Sequence, residues 1–240
     1  MAQEKEIYDP EFVEDLFDRM SSSYARMNYI TSFGFSERWR RQCIQQLDFS
    51  TSEVILDLMC GMGECWPQVL KRSPAHAQLI GIDFSAGMLR FADQAKIKYP
   101  NRKIETRRQN IFTNNLPDGS VDIIISGFGL KTFNDQQIQE LAEEMHRLLK
   151  PGGQFSLIDV STPHWSALRR PYLFYLKNII PILGKLFLGN PETYEMLGIY
   201  TEKYGNSKQV EKRFTEAGFE VKYLDYFYGC ASGIAGCKSR

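Results

Sequence analysis

An excess of one charge is missing from this chain: 29 lysines and arginines balance 29 aspartates and glutamates over 240 residues. A chain without net charge has no long-range field to collect a polyanion, so the composition disfavours nucleic acid as the main partner. Cysteines are few and odd in number, five in all, and no CxxC pair occurs. This pattern argues against a disulfide framework or a zinc ribbon, so we expect no metal site and a reducing compartment.

Long hydrophobic runs are also missing. The most apolar stretch extends from Tyr172 to Leu188 and still contains two lysines, an asparagine and a proline. It is too short to cross a bilayer comfortably, and the first residues, MAQEKEIYDPEF, carry no apolar signal core. We therefore expect a soluble, cytoplasmic protein.

What the sequence does contain is an alternation of apolar runs and amphipathic segments. Seven runs predict strands: EVILDLM, AQLIGIDF, KIETRRQ, SVDIIISGF, QFSLIDV, FEVKYLDYF and GCASGIAGCK. Helical segments between most of them predict right-handed crossovers, and hence an α/β fold with a doubly wound, mostly parallel seven-stranded sheet. The last two runs have no crossover helix between them and are expected to form an antiparallel hairpin at the edge. Asp9 and Ser85 are expected to cap helices.

We divide this single domain, residues 1–240, into four parts. Residues 1–50 are predicted to be helical, and residues 51–160 to form the cofactor-binding core. An aromatic-rich helical insertion follows the fifth strand over residues 161–205, and residues 206–240 hold the C-terminal helix and the edge strands. The first and third parts are expected to close over the site as lids.

The segment DLMCGMGECW, residues 57–66, places two glycines at the end of the first of these strands. Ligands of doubly wound sheets bind outside the carboxyl ends of the strands. Gly61 and Gly63 let the backbone turn sharply and approach a ligand, and the next helix points its N-terminus at it. Asp83 ends the second strand twenty residues after Gly63, the separation at which an acid accepts hydrogen bonds from ribose hydroxyls.

Trp66 decides between the cofactors that suit such a loop. The dinucleotide fingerprint needs a third glycine at this point, and we expect the bulky Trp66 to obstruct the helix–sheet packing that accommodates a pyrophosphate. No glycine–lysine–serine/threonine run follows, which excludes a P-loop. An adenosyl cofactor without phosphates remains, S-adenosylmethionine. Asn110, just past the third strand, would lie beside its adenine ring.

Four segments, ILDLMCGMG, IGIDFS, PDGSVDIIIS and LLKPGGQFSLID, together resemble the class I S-adenosylmethionine-dependent methyltransferases. Within that superfamily the chain resembles the ubiquinone/menaquinone biosynthesis C-methyltransferases, through LFDRMSSSYARMNYITSFGFSERWRR, SGFGLKTFND and TYEMLGIYTEKYGNSKQVEKRFTEAGFE. The likeness extends from about Phe12 to the final strands. It implies a Rossmann-like methyltransferase fold and S-adenosylmethionine as the cofactor.

The resemblance also implies which residues contact the cofactor. These are Asp57, Gly61, Met62, Gly63, Asp83, Phe84, Asn110, Ile111 and Gly127. In this reading Asp57 holds the loop and approaches the methionine ammonium, directly or through water.

Several positions depart from the family pattern. The family usually has a small residue at position 59, threonine at 62, aspartate at 64 and serine at 127, where this chain has Met59, Met62, Glu64 and Gly127. On the substrate side, the family's arginine–asparagine pair is replaced by Lys131–Thr132, and its histidine by Tyr204. The cofactor side is therefore expected to be retained and the substrate side altered.

Methyl transfer from a sulfonium is an in-line displacement in which the enzyme mainly aligns the nucleophile. If the acceptor is a carbon beside a phenol, a residue must also help to remove the hydroxyl proton. The candidates are His164 after the fifth strand, Tyr200 and Tyr204 at the end of the insertion, and Lys131, which would stabilise a phenolate. Each has a structural alternative: an exposed loop histidine, lid packing for the tyrosines, and a surface lysine.

We interpret the chain as a methyltransferase that acts on a small or lipidic aromatic or quinol-like acceptor, with a carbon atom as the expected site of methylation. Two alternatives stay open, an O- or N-methyltransferase of a secondary metabolite and a non-catalytic cofactor-binding subunit of a biosynthetic complex. A nicotinamide enzyme is disfavoured by Trp66. The aromatic insertion suits an aromatic acceptor, a membrane surface that presents a prenylated lipid, or a homodimer interface.

Overall fold

Three helices precede the sheet in the computed structural model, which describes residues 7–188 and 191–240, with the backbone alone at 186–188 and 191–193. The first helix begins as predicted, because the Asp9 carboxylate accepts a hydrogen bond from the Glu11 N–H (2.9 Å) and Pro10 occupies the first turn. The three helices are α1 (Pro10–Met20), α2 (Tyr24–Thr31) and α3 (Phe35–Ile44).

Seven strands form one sheet in the order β3-β2-β1-β4-β5-β7-β6. Their bounds are β1 (Val54–Leu58), β2 (Gln78–Asp83), β3 (Lys103–Arg108), β4 (Val121–Gly127), β5 (Leu149–Val160), β6 (Phe219–Tyr226) and β7 (Ala231–Lys238). The first five strands pair in parallel, and β7 lies antiparallel to both β5 and β6. The predicted doubly wound sheet with a terminal hairpin is therefore confirmed, and the order reverses between β1 and β4, beside the glycine loop.

Helices cover both faces of the sheet, as the alternation predicts. The crossovers are α4 (Trp66–Arg72), α5 (Ala86–Lys96), α6 (Asp135–Leu148) and, before the hairpin, α10 (Lys208–Glu216). One face buries Leu141 of α6 and Phe214 of α10 together with Phe155 of the sheet. The other face buries Val69 of α4 and Leu89 of α5. Ser85 caps α5 by accepting a hydrogen bond from the Met88 N–H, as predicted.

The PGG segment, residues 151–153, lies inside strand β5. Strand β5 begins at Leu149, which pairs with Val121, and the ladder then skips to the pair Gln154 and Ile123. The residues between form a bulge whose turn uses Gly152 at a φ of 77°. The strand therefore starts five residues before the predicted QFSLIDV run.

The insertion after β5 forms α7 (Ser166–Phe174), a π-helical turn (Tyr175–Ile179), α8 (Ile180–Leu188) and α9 (Pro191–Tyr204). It packs against the N-terminal helix α1, where Leu16 and Met20 share a buried cluster with Leu176, Tyr194 and Tyr200. Both helical segments therefore meet above the carboxyl ends of the strands. Among the described helices none is long and apolar enough to cross a membrane.

Candidate active site

The glycine loop turns sharply at the carboxyl end of β1. Gly61 and Gly63 adopt left-handed backbone angles, with φ of 55° and 78°, which glycine tolerates without a steric penalty. Met59 adopts a φ of 54° at the start of the loop, a conformation that is unusual for a bulky residue. Its side chain occupies the space beside Gly129, where a Cβ would lie 2.5 Å from the Met59 sulfur. The loop and the β4 end are thus fitted to each other.

Trp66 lies beneath this loop. Its side chain is fully buried, and its indole N–H donates a hydrogen bond to Oδ2 of Asp57 (2.9 Å). A Cβ at Gly63 would lie 2.6 Å from the indole ring, and a Cβ at Gly81 on β2 would lie 3.0 Å from it. The two glycines thus make room for the ring, which supports the loop from below. The expected steric conflict between the ring and the sheet is relieved at Gly81.

The hydrogen bond from Trp66 uses only one of the two carboxyl oxygens of Asp57, Oδ2. Its Oδ1 is buried and has no hydrogen-bond partner within the described residues, and burial raises the pKa of this carboxyl well above its usual range. A buried carboxylate oxygen without a partner is costly. An ammonium group or a bridging water at the glycine loop would satisfy it.

Asp83 closes the other side of the loop. Its carboxylate accepts hydrogen bonds from the N–H of Gly61 (2.8 Å) and the N–H of Ser85 (2.9 Å). Burial raises its pKa to about 6, and these two backbone hydrogen bonds act in the opposite direction. The side chain faces two adjoining pockets rather than bulk water.

The first pocket lies beyond Asp83, at the ends of β2 and β3. Phe84, Asn110 and Ile111 line it, and Tyr8 and Val13 of the N-terminal segment cover it. The Asn110 side chain accepts a hydrogen bond from the Phe112 N–H (2.9 Å) and so fixes the turn after β3. A flat ring held between apolar side chains and main chain fits this pocket.

The second pocket lies between the glycine loop and the end of β4, lined by Gly61, Glu64 and Gly127. Glu64 forms an ion pair with Arg40 of α3 (3.2 Å) and also accepts a hydrogen bond from the Met62 N–H. The Arg40 guanidinium lies 4.7 Å from the centre of the Phe128 ring. The N-terminal helices are thus tied directly to the glycine loop.

A third cavity, of about 230 Å³, is larger than these two pockets. Aromatic and aliphatic side chains form nearly all of its wall, among them Leu16, Trp39, Tyr172, Leu176 and Ile180. Four of its lining residues, Phe17, Tyr24, Phe128 and Thr132, also line the second pocket. Thr132 contributes to all three. The pockets therefore form a row that leads from the end of β3 to the apolar cavity.

Lys131 supplies a buried positive charge to this cavity. Its ammonium donates hydrogen bonds to Oδ1 of Asp159 (3.0 Å) and to the carbonyl of Phe128 (2.6 Å), and the side chain is 6% exposed. Asp159 also accepts a hydrogen bond from the Lys131 N–H (2.9 Å). The structure therefore places Lys131 in the cavity wall and not on the surface.

The other three catalytic candidates are dispersed. Tyr200 lines the cavity, but its hydroxyl donates a hydrogen bond to the Ile7 carbonyl, and burial raises its pKa. The Tyr204 hydroxyl is paired with Ser207 (2.7 Å), and Tyr204 lies outside the cavity lining. His164 also lies outside it, with a side chain that is 64% exposed and within 3.4 Å of Asp225. Sequence reasoning missed Tyr24, Phe128 and Thr132, which separate the second pocket from the cavity.

The thiols beside the loop are buried among apolar side chains. Cys60 and Cys65 are buried, and burial raises the pKa of both well above the usual value. Within the part of the chain that the structure describes, no group of three acidic, histidine or cysteine side chains is arranged to hold an ion. Both cysteines pack as small apolar side chains.

Comparison with known proteins identifies this arrangement. The model of the ubiE/COQ5 methyltransferase family matches residues 1–238. The chain belongs to this family. It is 30% identical to the demethylmenaquinone methyltransferase of Lactiplantibacillus plantarum over 94% of this chain and 95% of that one. The corresponding enzyme of Lactococcus lactis subsp. lactis is 34% identical, over 96% and 91%.

The fold is that of a solved methyltransferase as well. An S-adenosylmethionine-dependent methyltransferase from Aquifex aeolicus superposes with a TM-score of 0.57 at 18% identity, covering 82% of this chain and 88% of that one. This family member is therefore an S-adenosylmethionine-dependent methyltransferase with a Rossmann-like fold, as the sequence motifs predicted.

The residues present fit that cofactor. The unpartnered oxygen of Asp57 suits the methionine ammonium, and the carboxylate of Asp83 lies at the junction of the first two pockets. The pocket beyond Asp83 suits a flat base, and the third, apolar cavity adjoins the opposite end of the row. At position 127 the family has serine, whereas this chain has glycine. A Cβ atom at Gly127 would lie 3.2 Å from the sulfur of Cys65.

Proposed function

We propose that this enzyme methylates a ring carbon of a hydroquinone that carries an apolar tail. The observation that carries the proposal is the shared wall of Phe17, Tyr24, Phe128 and Thr132, through which the donor pocket adjoins an apolar cavity of about 230 Å³. An acceptor ring at that wall would face the donor pocket, and an in-line displacement requires the acceptor carbon to face the methyl group of the donor. The names of the bacterial relatives, demethylmenaquinone methyltransferases, support the same acceptor class.

The donor side of the proposal assigns the predicted contacts to the two smaller pockets and to the glycine loop beside them, because Asp57, Met62 and Gly63 line neither pocket. Asp83 accepts hydrogen bonds from the ribose hydroxyls, and Phe84, Asn110 and Ile111 hold the adenine ring. The residues that would hold the methionine part are Asp57, Gly61, Met62, Gly63 and Gly127. The bound cofactor supplies an activated methyl group. The protein's task is to hold the acceptor in line with it and to keep water out.

On the acceptor side, we assign the chemistry to Lys131. An ammonium has three N–H donors, and two of them are used by Asp159 and the Phe128 carbonyl. The third is available to an acceptor oxygen, whose negative charge grows as the neighbouring carbon becomes nucleophilic. A fixed cation in an apolar cavity stabilises such charge far more than it would in water. Asp159 acts on Lys131 and not on the acceptor.

The two helical segments serve as lids in this proposal. In the described part of the chain, residues 7–50 cover the donor pockets from one side, and residues 161–185 and 194–205 complete the acceptor cavity from the other. Tyr200 joins them through its hydrogen bond to Ile7, which is a positioning role. We assign no chemical role to His164 or Tyr204, because neither lines the cavity.

The test uses purified enzyme, isotopically labelled S-adenosylmethionine and three acceptors: a prenylated hydroquinone in detergent, the same hydroquinone without a tail, and the oxidised quinone. We expect methylation of both reduced compounds and none of the quinone, because only the reduced ring is electron-rich. Fragment mass spectra must place the label on the ring carbon. Label on oxygen would support the O-methyltransferase alternative, and cofactor binding without any product would support the non-catalytic subunit. A homodimer and a cytoplasmic location stay predictions, to be tested by ultracentrifugation and by fractionation.

A further inference from the structure

Exposed aromatic side chains surround the mouth of the apolar cavity. Phe33 at the end of α2 is 80% exposed and Phe227 in the β6–β7 turn is 50% exposed, and both also line the cavity. Next to them lie Tyr228, 61% exposed, and Trp165, 58% exposed. We call these four residues the aromatic rim. Large apolar side chains gathered in this way on a surface mark a binding site.

The backbone holds the aromatic rim outward under strain. Phe33, Phe227 and Tyr228 have φ of 51°, 48° and 57°, a left-handed conformation that is strained for a non-glycine residue. Aromatic contacts fix the arrangement: Phe227 lies 4.6 Å from Phe35, and Trp165 lies 6.4 Å from Tyr228, between ring centres. Strain at exposed aromatic residues is unexplained by core packing, because these side chains do not contribute to a core.

Charge is distributed unevenly around the same mouth. Residues 19–36 and 160–191 contain no aspartate or glutamate, although the whole chain is balanced. The two segments expose Arg26, Arg169 and Arg170, and no ion-pair partner is found for these three among residues 7–188 and 191–240. A surface with aromatic side chains and unpaired arginines is complementary to an anionic lipid bilayer, where tryptophan and tyrosine occupy the headgroup level.

We propose that the aromatic rim and its arginines dock this enzyme on the surface of an anionic lipid bilayer. Docking turns the mouth of the cavity toward the lipid, so that an acceptor's apolar tail stays in the bilayer while its ring enters the cavity. The partner follows from the proposed hydroquinone substrate, but docking itself requires neither substrate nor cofactor.

The experiment measures sedimentation of the enzyme with vesicles of phosphatidylcholine alone and with added phosphatidylglycerol, at low and high salt. The aromatic variant is Trp165→Ser with Tyr228→Asn. Serine is a good N-cap for α7, whose N-cap is Trp165, and asparagine tolerates the left-handed conformation of position 228, so the fold is preserved. The charge variant is Arg169→Gln with Arg170→Gln.

Matched controls lie at the opposite edge of the sheet, where α4 and α5 end. Ile97→Ser removes a side chain that is 78% exposed, and Lys71→Gln with Arg72→Gln removes two charges from the last turn of α4. We expect the wild type and both controls to bind the phosphatidylglycerol vesicles. The aromatic and charge variants should each bind about tenfold more weakly, and high salt should release the wild type.

Equal vesicle binding by all proteins, or no binding by the wild type, would overturn the docking proposal. So would a concentration-dependent dimer that the aromatic variant dissociates without any vesicle binding, because the aromatic rim would then join two copies of the chain. Methylation of the tail-less hydroquinone without vesicles separates this proposal from the proposed function. Trp165 and Tyr228 lie outside the cavity lining, so the aromatic variant should keep that activity. If the wild type binds vesicles but methylates no hydroquinone, the docking proposal is supported and the proposed function is refuted.

Discussion

The indole N–H of Trp66 donates a hydrogen bond to the Asp57 carboxylate across 2.9 Å, beneath the glycine loop that borders the donor pockets. Both side chains are buried, with exposures of 0% and 1%. The bond is the one partner found for the Asp57 carboxylate among the described residues. The shape of the loop therefore depends on a side chain that does not itself line the donor pockets.

Replacing Trp66 with Phe tests this support. The ring is kept and the N–H is lost, so a buried carboxylate is left without a partner, at a cost of about 1–3 kcal/mol. We expect denaturant unfolding to show a loss of that size, and calorimetry to show weaker cofactor binding. Trp165→Phe, at an exposed position, is the control and should change neither. Wild-type cofactor affinity in the Trp66 variant would show that the hydrogen bond is dispensable.

The pH dependence of cofactor binding tests Asp83. Its pKa of about 6 lies above the unfolded value of about 3.9, so the folded protein without cofactor holds this proton more tightly. The contribution of Asp83 to the free energy of unfolding is therefore greatest below about pH 4, and it declines as the pH rises toward 6. Cofactor binding has the opposite slope, because the ionised carboxylate is the form that accepts from both ribose hydroxyls.

We expect calorimetry from about pH 5 to pH 8 to show cofactor affinity rising through pH 6. Asp83→Asn should bind much more weakly and lose that slope. Asp93→Asn is the control: this exposed acid lies on the adjoining helix and is paired with Lys96. If the cofactor affinity of the wild type does not change with pH, Asp83 does not accept hydrogen bonds from the ribose.

Lys131 should affect the rate rather than the binding of the donor. Lys131→Met removes the cation from the cavity, and we expect kcat to fall by about 100-fold with the cofactor Kd nearly unchanged. The variant also leaves Asp159 buried without its ion partner, so its stability must be measured in parallel. Lys131→Arg keeps the charge and should recover most of the activity. Equal activity in the Met and Arg variants would rule out a role for the charge.

Asp18 fastens the N-terminal lid to the core. Its Oδ1 accepts hydrogen bonds from the Ser85 hydroxyl and from the Gly87 N–H (2.8 Å), at the start of the helix that follows Asp83. Asp18→Ala should loosen α1, and limited proteolysis should then cut near residue 20 several times faster unless cofactor is present. Asp15→Ala is the matched control, because the ion-pair partner found for Asp15 among the described residues is Arg19 of the same helix, across 3.5 Å. Identical cleavage rates would mean that other contacts hold the lid.

Much of the fold could be predicted from local pattern. The strands, the caps at Asp9 and Ser85 and the terminal hairpin depend on short-range periodicity and capping chemistry, which the sequence displays directly. The start of β5 could not be predicted, because PGG is a common helix stop and the strand begins before it, at Leu149, through pairing with Val121 of a neighbouring strand. Tertiary pairing here prevails over the local turn signal.

For a related reason, the sequence located residues of the donor pockets better than residues of the acceptor cavity. Asp83, Asn110 and Gly127 border the donor pockets because strand ends meet at one edge of a parallel sheet. The direction of a loop side chain has no such rule, so His164 and Tyr204 were candidates by position but lie outside the cavity lining. Trp66 was expected to obstruct packing, and the compensating glycine is Gly81 on another strand.

Helix α1 forms part of the wall of two cavities, the first pocket and the acceptor cavity. Its Pro10 and Val13 border the first pocket, and its Leu16, Phe17 and Met20 border the acceptor cavity. The first pocket and the acceptor cavity therefore have one element of their walls in common, so a displacement of α1 changes the shape of both. Occupancy of the donor pocket is thereby coupled to the shape of the acceptor cavity through the position of this one helix.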